Sequence, residues 1–297
     1  MNRRSFLQWT AGAGALAGVL PTAIAADPPA RKPLKKGIMF ATVGIEGASV
    51  ADKFKAIQAA GFHGIEPMSH MDQDEVLRAR DATGLELPSV CCATHWAKPI
   101  THPSAEVRAA GVEGLKQALR DAKRYGSSSV LFVAGVVNAE IPYADALQRA
   151  HKELIPVAEF AGEQGVVIAI ENVWNNFMLS PVESAQFVDS FNSKFVGWHF
   201  DVGNVINYGW PEQWVRTLGP RIQKLHIKEY SRAKADKQGK WAGFDVEFLK
   251  GDNNWPAVMK ALDDINYHGW GIAEQGGAGS AAGLQKLSSE MDRIYAS

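Results

Sequence analysis

The sequence predicts an α/β protein folded as a single eight-stranded parallel barrel, the (βα)8 or TIM barrel. Strand-like and helix-like segments alternate from residue 37 to the C-terminus. Eight such pairs fill about 260 residues, close to the roughly 250 typical of this barrel. In the second half, four short apolar strands each close on a polar side chain, the position where such barrels carry their chemistry. An open doubly wound sheet is the alternative, but no Gly-x-Gly-x-x-Gly turn follows the first strand.

Taken in order, strand one is read at 37–42, and the helix at 49–60 stops at Gly61. Strand two at 64–67 leads to a polar helix at 72–83, and strand three covers 86–93. The helix at 104–125 opens on the cap pattern Ser104-Ala-Glu-Val and ends at Gly126. Strand four spans 129–134 and a helix spans 143–163. Strand five, 166–172, reads Val-Val-Ile-Ala-Ile-Glu-Asn, the unbroken apolar run of a strand buried on both faces. Pro181 begins the next helix at its favoured first-turn position. Strand six at 196–201, a short helix at 211–218 and strand seven at 222–227 follow. Residues 228–254, polar and carrying several Gly and Lys, are read as a mobile loop over the site. A helix at 255–265, strand eight at 271–274 and a last helix at 280–295 complete the chain.

The 297 residues are 46% hydrophobic and 21% charged, with a net charge of −1, an ordinary globular composition. Without a basic field to hold a phosphate backbone, nucleic acid is not the expected partner. The only cysteines, Cys91 and Cys92, are adjacent and cannot staple distant segments. They alternate across strand three, and core filling explains them.

The first 25 residues read as a twin-arginine signal peptide. Arg3-Arg-Ser-Phe-Leu7 precedes a mildly apolar Ala/Gly-rich stretch, and Ala23-Ile-Ala25 supplies small residues for cleavage. That stretch is too short and glycine-rich to remain as a stable membrane anchor. Export to the periplasm or the cell exterior is expected, with residues 26–36 as a linker and 37–297 as the barrel domain. A homo-oligomer is compatible with the sequence.

Glu171, Asp201, His226 and Glu274 close strands five to eight, which lie side by side in a barrel. They converge at one part of the mouth and make one metal site. Three carboxylates and one imidazole suit a single hard or borderline divalent ion, Mn2+ first, with Mg2+, Co2+ or Zn2+ as alternatives. For each residue alone, a strand-end polar group capping a neighbouring helix is the competing reading.

The chain here resembles the xylose isomerase-like barrels, in particular the sugar isomerase/epimerase branch that includes D-tagatose 3-epimerase and hydroxypyruvate isomerase. Ile170-Glu-Asn172, Phe200-Asp-Val-Gly-Asn204, Leu225-His-Ile-Lys-Glu229, Leu249-Lys-Gly251 and Tyr267-His-Gly-Trp-Gly-Ile-Ala-Glu274 carry the resemblance. It implies Glu171, Asp201, His226 and Glu274 as metal ligands, with Glu171 and Glu274 also exchanging the substrate proton. It also places Arg232 near the substrate. Two positions depart from the epimerase pattern: Asn204 stands where a His is usual, and Lys228 where a small residue is usual. Both touch the pocket, so the epimerase sugar specificity does not carry over.

Moving a carbonyl along a sugar, or inverting the carbon beside it, means removing a proton next to C=O and stabilising the enediolate. Lys228 or Arg232 is expected to hold a hydroxyl or the developing oxyanion, with a surface role for Lys228 as the alternative. His95-Trp96 past strand three and Trp174 past strand five are candidates to stack on a sugar. Glu66, closing strand two, orients substrate or water, or pairs with a basic neighbour. His199 is read as a hydrogen-bonded core histidine. Trp214 and Trp255 are read as packing residues.

The expected activity is a metal-dependent sugar isomerase or epimerase acting on a keto or aldehydo carbohydrate. A lyase or dehydratase eliminating beta to a carbonyl, for example on oxidised glycosides, is the second reading. A non-catalytic carbohydrate-binding barrel is the third. The related DNA-cutting branch is disfavoured, because it needs further metal-binding histidines and a basic groove.

Overall fold

A computed structural model describes residues 34–297; the expected signal peptide, and the expected linker as far as residue 33, lie outside the described residues. The described residues contain eight parallel strands: β1 (Lys35–Met39), β2 (Gly64–Glu66), β3 (Ser89–Cys91), β4 (Ser129–Phe132), β5 (Val167–Glu171), β6 (Val196–Asp201), β7 (Ile222–Ile227) and β8 (Trp270–Ala273). Their hydrogen-bonded order is β2-β1-β8-β7-β6-β5-β4-β3. The ring closes between β2 and β3 through single bridges, Gly64 to Glu86 and Met68 to Cys91. Ile65 N donates to Glu86 O at 2.9 Å, and Cys91 N to Pro67 O at 2.9 Å.

Helices α1 (Val50–Ala59), α2 (Gln73–Thr83), α3 (Ala105–Tyr125), α4 (Tyr143–Gln164), α5 (Pro181–Asp189), α6 (Val202–Ile206), α7 (Pro211–Leu218), α8 (Arg232–Gln238), α9 (Trp255–Asp264) and α10 (Ala281–Tyr295) connect the strands or close the chain. Ser49 and Asp52 form a reciprocal capping box on α1, and Asp72, Ser104 and Ser180 cap α2, α3 and α5. Each such cap is worth about 1 kcal/mol. Gly165 ends α4 at a φ of 72°, a left-handed turn that favours glycine and releases the chain into β5.

The two-residue alternation of β6 sorts its side chains. Trp198 and Phe200 face outward, with Phe200 stacked on Trp214 of α7 at 6.3 Å. His199 and Asp201 face the barrel axis, as do Lys224 and His226 of β7, and all four are buried. By the same alternation, buried Ser89 and Ser129 lie one layer below the pocket residues Cys91 and Leu131. The lower interior is therefore polar rather than filled by Val and Ile, and Lys224 Nζ donates to Ser128 Oγ at 2.8 Å.

Strands β3 and β4 are shorter than the expected 86–93 and 129–134, and three further differences stand out. First, β1 starts at Lys35, inside the expected linker, and Phe40–Thr42 turns as a 3-10 helix. Lys35 and Lys36 made this stretch look like linker, but their ammonium groups reach Glu86 and Asp292, at 2.6 and 2.8 Å. Second, the chain turns into α6 directly after Asp201, which caps it by accepting from Asn204 N. Third, residues 228–254 fold into α8 and a 3-10 turn (Lys240–Phe244).

The buried Glu229 carboxylate explains that third difference. It accepts from Leu249 N at 2.8 Å, Asn253 N at 3.2 Å and Trp255 Nε1 at 2.9 Å, tying both ends of the excursion together. Tyr230, fully buried, donates to Lys240 O at 2.8 Å and packs its ring against Phe244.

Candidate metal centre

Parallel pairing of β6 with β7 sets Asp201 beside His226, and Glu274 N donates to Ile227 O at 3.1 Å just past β8. His226 Nδ1 consequently lies 3.0 Å from Glu171 Oε1, 3.1 Å from Glu274 Oε2 and 3.8 Å from Asp201 Oδ2. Donor atoms of all four residues fall within 4.8 Å of one another. Asp201 Oδ2 is buried without a hydrogen-bond partner, and Lys228 Nζ stands 3.5 Å away. A buried carboxylate oxygen in that state costs free energy unless a cation faces it. The donor set and the orphaned oxygen fit one divalent ion.

The far side of the His226 ring is also fixed. Glu66 Oε1 lies 3.0 Å from Nε2, so in the neutral ring the proton sits on Nε2 and the Nδ1 lone pair faces the carboxylates. Asn172 braces Asp201 by donating to its carbonyl at 2.8 Å and accepting its amide at 3.0 Å. Asp201 Oδ1 accepts from Asn204 N at 2.7 Å, while Asn204 Nδ2 donates to Asn172 O at 2.9 Å. Between them, Gly203 lies against Lys228: a Cβ there would meet Lys228 O at 2.8 Å and Lys228 Cβ at 2.9 Å.

Burial and charge act on the cluster in opposite directions. Burial pushes the Asp201 carboxyl up to about 8 and also raises Glu171. Burial opposes ionisation of Glu274 too, but Lys228 and His226 outweigh it and hold Glu274 well below the carboxylate range. Burial likewise disfavours charge on His226, yet Glu66 and Glu274 outweigh it and raise its pKa well above the imidazole range. Lys228 Nζ, 2.9 Å from Glu274 Oε2, is raised by Asp201 and Glu274 against its own burial.

Residues 54–294 match the model of the family described as the xylose isomerase-like TIM barrel. The chain belongs to that family. Residues 1–19 match the twin-arginine translocation signal sequence, which supports export by that route. A protein of Escherichia coli (strain K12) carrying the provisional name L-ribulose-5-phosphate 3-epimerase is 25% identical over 210 residues, 69% of this chain and 73% of its own. The solved structure of 3-keto-D-glucoside 4-epimerase from E. coli superposes with a TM-score of 0.74 at 16% identity, covering 89% of this chain and all 100% of that one. A D-tagatose 3-epimerase-like protein also gives 0.74, at 19% identity over 89% of this chain and 97% of that one.

In this xylose isomerase-like barrel, a cavity of about 310 Å3 opens over the cluster. Glu171, His226 and Glu274 line it together with Lys228, Asn204, His95, Trp96 and Trp174, which the sequence had nominated. His95 Nδ1 accepts from Val133 N at 3.3 Å, and burial lowers the ring's pKa to about 4. It is a neutral ring with its proton on Nε2. Trp174 donates to Asn204 O at 2.8 Å and packs on Phe244 at 4.7 Å.

Three further residues read from the sequence sit as follows. Arg232 does not line the cavity; its guanidinium donates to Ile206 O at 2.7 Å and Gly209 O at 2.9 Å and lies over Trp210. The start of α8 points it toward α6 rather than inward. Glu66 is fully buried and pairs with His226, the second of the two roles expected for it, and it does not line the cavity. His199 is a core residue, but neither ring nitrogen has a hydrogen-bond partner. Its Nδ1 stands 3.9 Å from Glu66 Oε2, and its ring meets His226 edge-on at 4.2 Å. Burial lowers its pKa well below the usual range, so it is a neutral packing group.

Trp241 and Phe244 line the cavity and were not foreseen, because they sit in the stretch read as a loop. An aromatic-rich run, Trp241-Ala-Gly-Phe244, was the available signal. Among the described residues no helix is long and apolar enough to cross a membrane.

Proposed function

We propose that the protein is a metal-dependent sugar isomerase or epimerase, exported by the twin-arginine route, cleaved near Ala25 and working outside the cytoplasm. The observation that carries the reading is the convergence of three carboxylates on His226 Nδ1 from adjacent strands, beneath a cavity of about 310 Å3. The epimerase names of the relatives support the sugar substrate class.

Glu171, Asp201, His226 and Glu274 hold one divalent ion, Mn2+ by the oxygen-rich donor set. When bound, the ion supplies Lewis-acid stabilisation of negative charge on substrate oxygen. Glu171 removes the proton from the carbon beside C=O. Glu274, ionised at rest, takes a proton from Lys228 Nζ at 2.9 Å and passes it to the enediolate, while the proton on Glu171 leaves to solvent and Lys228 is reprotonated from solvent. Lys228 Nζ, beside Glu274, donates to a substrate oxygen, and neutral His95 offers Nε2–H to a hydroxyl. Trp174 and Trp96 present ring faces to the sugar.

Lys228 also favours a second reading, elimination from a keto-sugar or oxidised glycoside. A fixed ammonium 2.9 Å from a carboxylate is placed to protonate a leaving oxygen. Incubation of Mn2+-loaded protein with keto-sugars in D2O tests both. Isomerisation or epimerisation gives a product of unchanged composition carrying solvent deuterium on carbon. Elimination releases water or an aglycone. Absence of deuterium uptake and of any product across keto-hexoses and keto-glycosides sinks both and leaves a binding barrel.

A further inference from the structure

We propose that the substrate is a glycoside rather than a free sugar, with a second ring seated against Trp96 and Trp241 at the cavity rim. This rests on the carbohydrate reading of the same site and specifies what else the sugar carries.

The inner cavity, about 310 Å3, lies at the small end of ligand pockets, which run from roughly 300 to 1,000 Å3. A cavity of that size over the carboxylate cluster suits one sugar unit. Two large indoles nevertheless line it while remaining mostly in water: Trp96 is 52% exposed and Trp241 64% exposed. A residue that both lines a cavity and faces solvent stands at its edge, where a group attached to the bound sugar emerges.

Both indoles are held rather than free. Trp241 rests on Trp174 at 4.8 Å, and Phe244 lies 6.3 Å from it. The 3-10 turn that carries it is clamped by Tyr230, which bonds Lys240 O. Trp96 meets His95 edge-on at 5.6 Å. An ordered aromatic face left in water at a pocket edge is the feature that stacks on a ring. Trp210 is the internal comparison. It is 55% exposed, but it lies off the cavity and is covered by the Arg232 guanidinium. Lys240 Nζ lies over the Trp241 ring at 5.4 Å much as Arg232 lies over Trp210 at 5.7 Å, so what sets the rim indoles apart from Trp210 is their place in the cavity lining.

Isothermal titration of Mn2+-loaded protein with D-glucose, phenyl β-D-glucopyranoside, cellobiose and glucose 6-phosphate tests the proposal. The two glycosides should bind about tenfold tighter than glucose, the range of one added ring contact. Trp96→Ala and Trp241→Ala should each shrink that ratio toward one, and the double variant should abolish it. Trp210→Ala should leave the ratio intact, and circular dichroism of all variants checks folding. Equal affinities for glucose and the glycosides, a preference that survives the double variant, or glucose 6-phosphate binding tightest each overturn the proposal. A glycoside preference in protein that binds no Mn2+ would uphold the subsite and defeat the metal-dependent reading. Deuterium uptake by free keto-hexoses without any glycoside preference would do the reverse.

Discussion

Glu66 Oε1 lies 3.0 Å from His226 Nε2, on the side of the imidazole opposite Glu171, Asp201 and Glu274. The two residues come from β2 and β7, so the contact spans the barrel axis. It fixes the ring plane before any ion arrives, and it holds the Nε2 proton when the Nδ1 proton is lost. Glu66→Ala is expected to weaken Mn2+ binding by about 10–100-fold, the usual effect of losing such a support. Glu66→Gln, which keeps an acceptor but not the charge, should fall between. Calorimetric titration of both variants checks this, and unchanged affinity in Glu66→Ala would remove Glu66 from the metal centre.

Metal binding should tighten as pH rises. In the metal-free protein, burial pushes Asp201 up to about 8 and the surrounding carboxylates keep His226 protonated well above its ordinary range. An ion must displace those protons, so acid competes with it. Below pH 8 the apparent affinity should rise about tenfold per pH unit for each proton displaced, and the rise due to Asp201 should level off above pH 8. Mn2+ titrations at pH 6, 7 and 8 in two buffers of different ionisation enthalpy read both affinity and proton release. Flat affinity with no proton release contradicts the electrostatic picture.

Lys228 bridges Glu274 and Asp201, at 2.9 and 3.5 Å, in a partly buried setting at the cavity. Lys228→Ala strips the carboxylate cluster of a cation and should destabilise the metal-free protein by about 1–3 kcal/mol. Saturating Mn2+ should recover much of that loss, since ligand binding to the folded state adds stability. Thermal unfolding with and without Mn2+ reports both quantities. A variant as stable as the parent without metal would show that Lys228 is not neutralising the cluster.

Arg232 holds two backbone carbonyls, Ile206 O and Gly209 O, and does not line the cavity. Arg232→Ala should cost about 1–3 kcal/mol of stability through those unpaired acceptors, with kcat and KM changing little at a temperature where the variant is folded. A large rise in KM without loss of stability would return Arg232 to the substrate.

The second half of the barrel was legible because each of its strands is short, largely apolar and carries a polar residue at or next to its end. Period-two alternation then dictates that Asp201 and His199 share a face, as do His226 and Lys224. Other features lay beyond local pattern. The strand role of Lys35 and Lys36 depends on Glu86 and Asp292, far away in sequence. The order of residues 228–254 depends on one buried carboxylate, Glu229, whose donors lie 20 or more residues downstream. Arg232 follows His226 by six residues, but the turn into α8 decides where its guanidinium goes, and residue spacing does not encode that turn. His199 was placed correctly in the core, while its missing hydrogen bonds arise from neighbours on β2 and β7 that a strand pattern does not reveal.

The most direct measurement is calorimetric titration of Mn2+ into the chelator-treated protein and its Glu171→Gln, Asp201→Asn, His226→Ala and Glu274→Gln variants. One saturable site per chain in the parent, weakened in all four variants, is the expected result. No saturable binding in the parent, or a site indifferent to these four side chains, would contradict it.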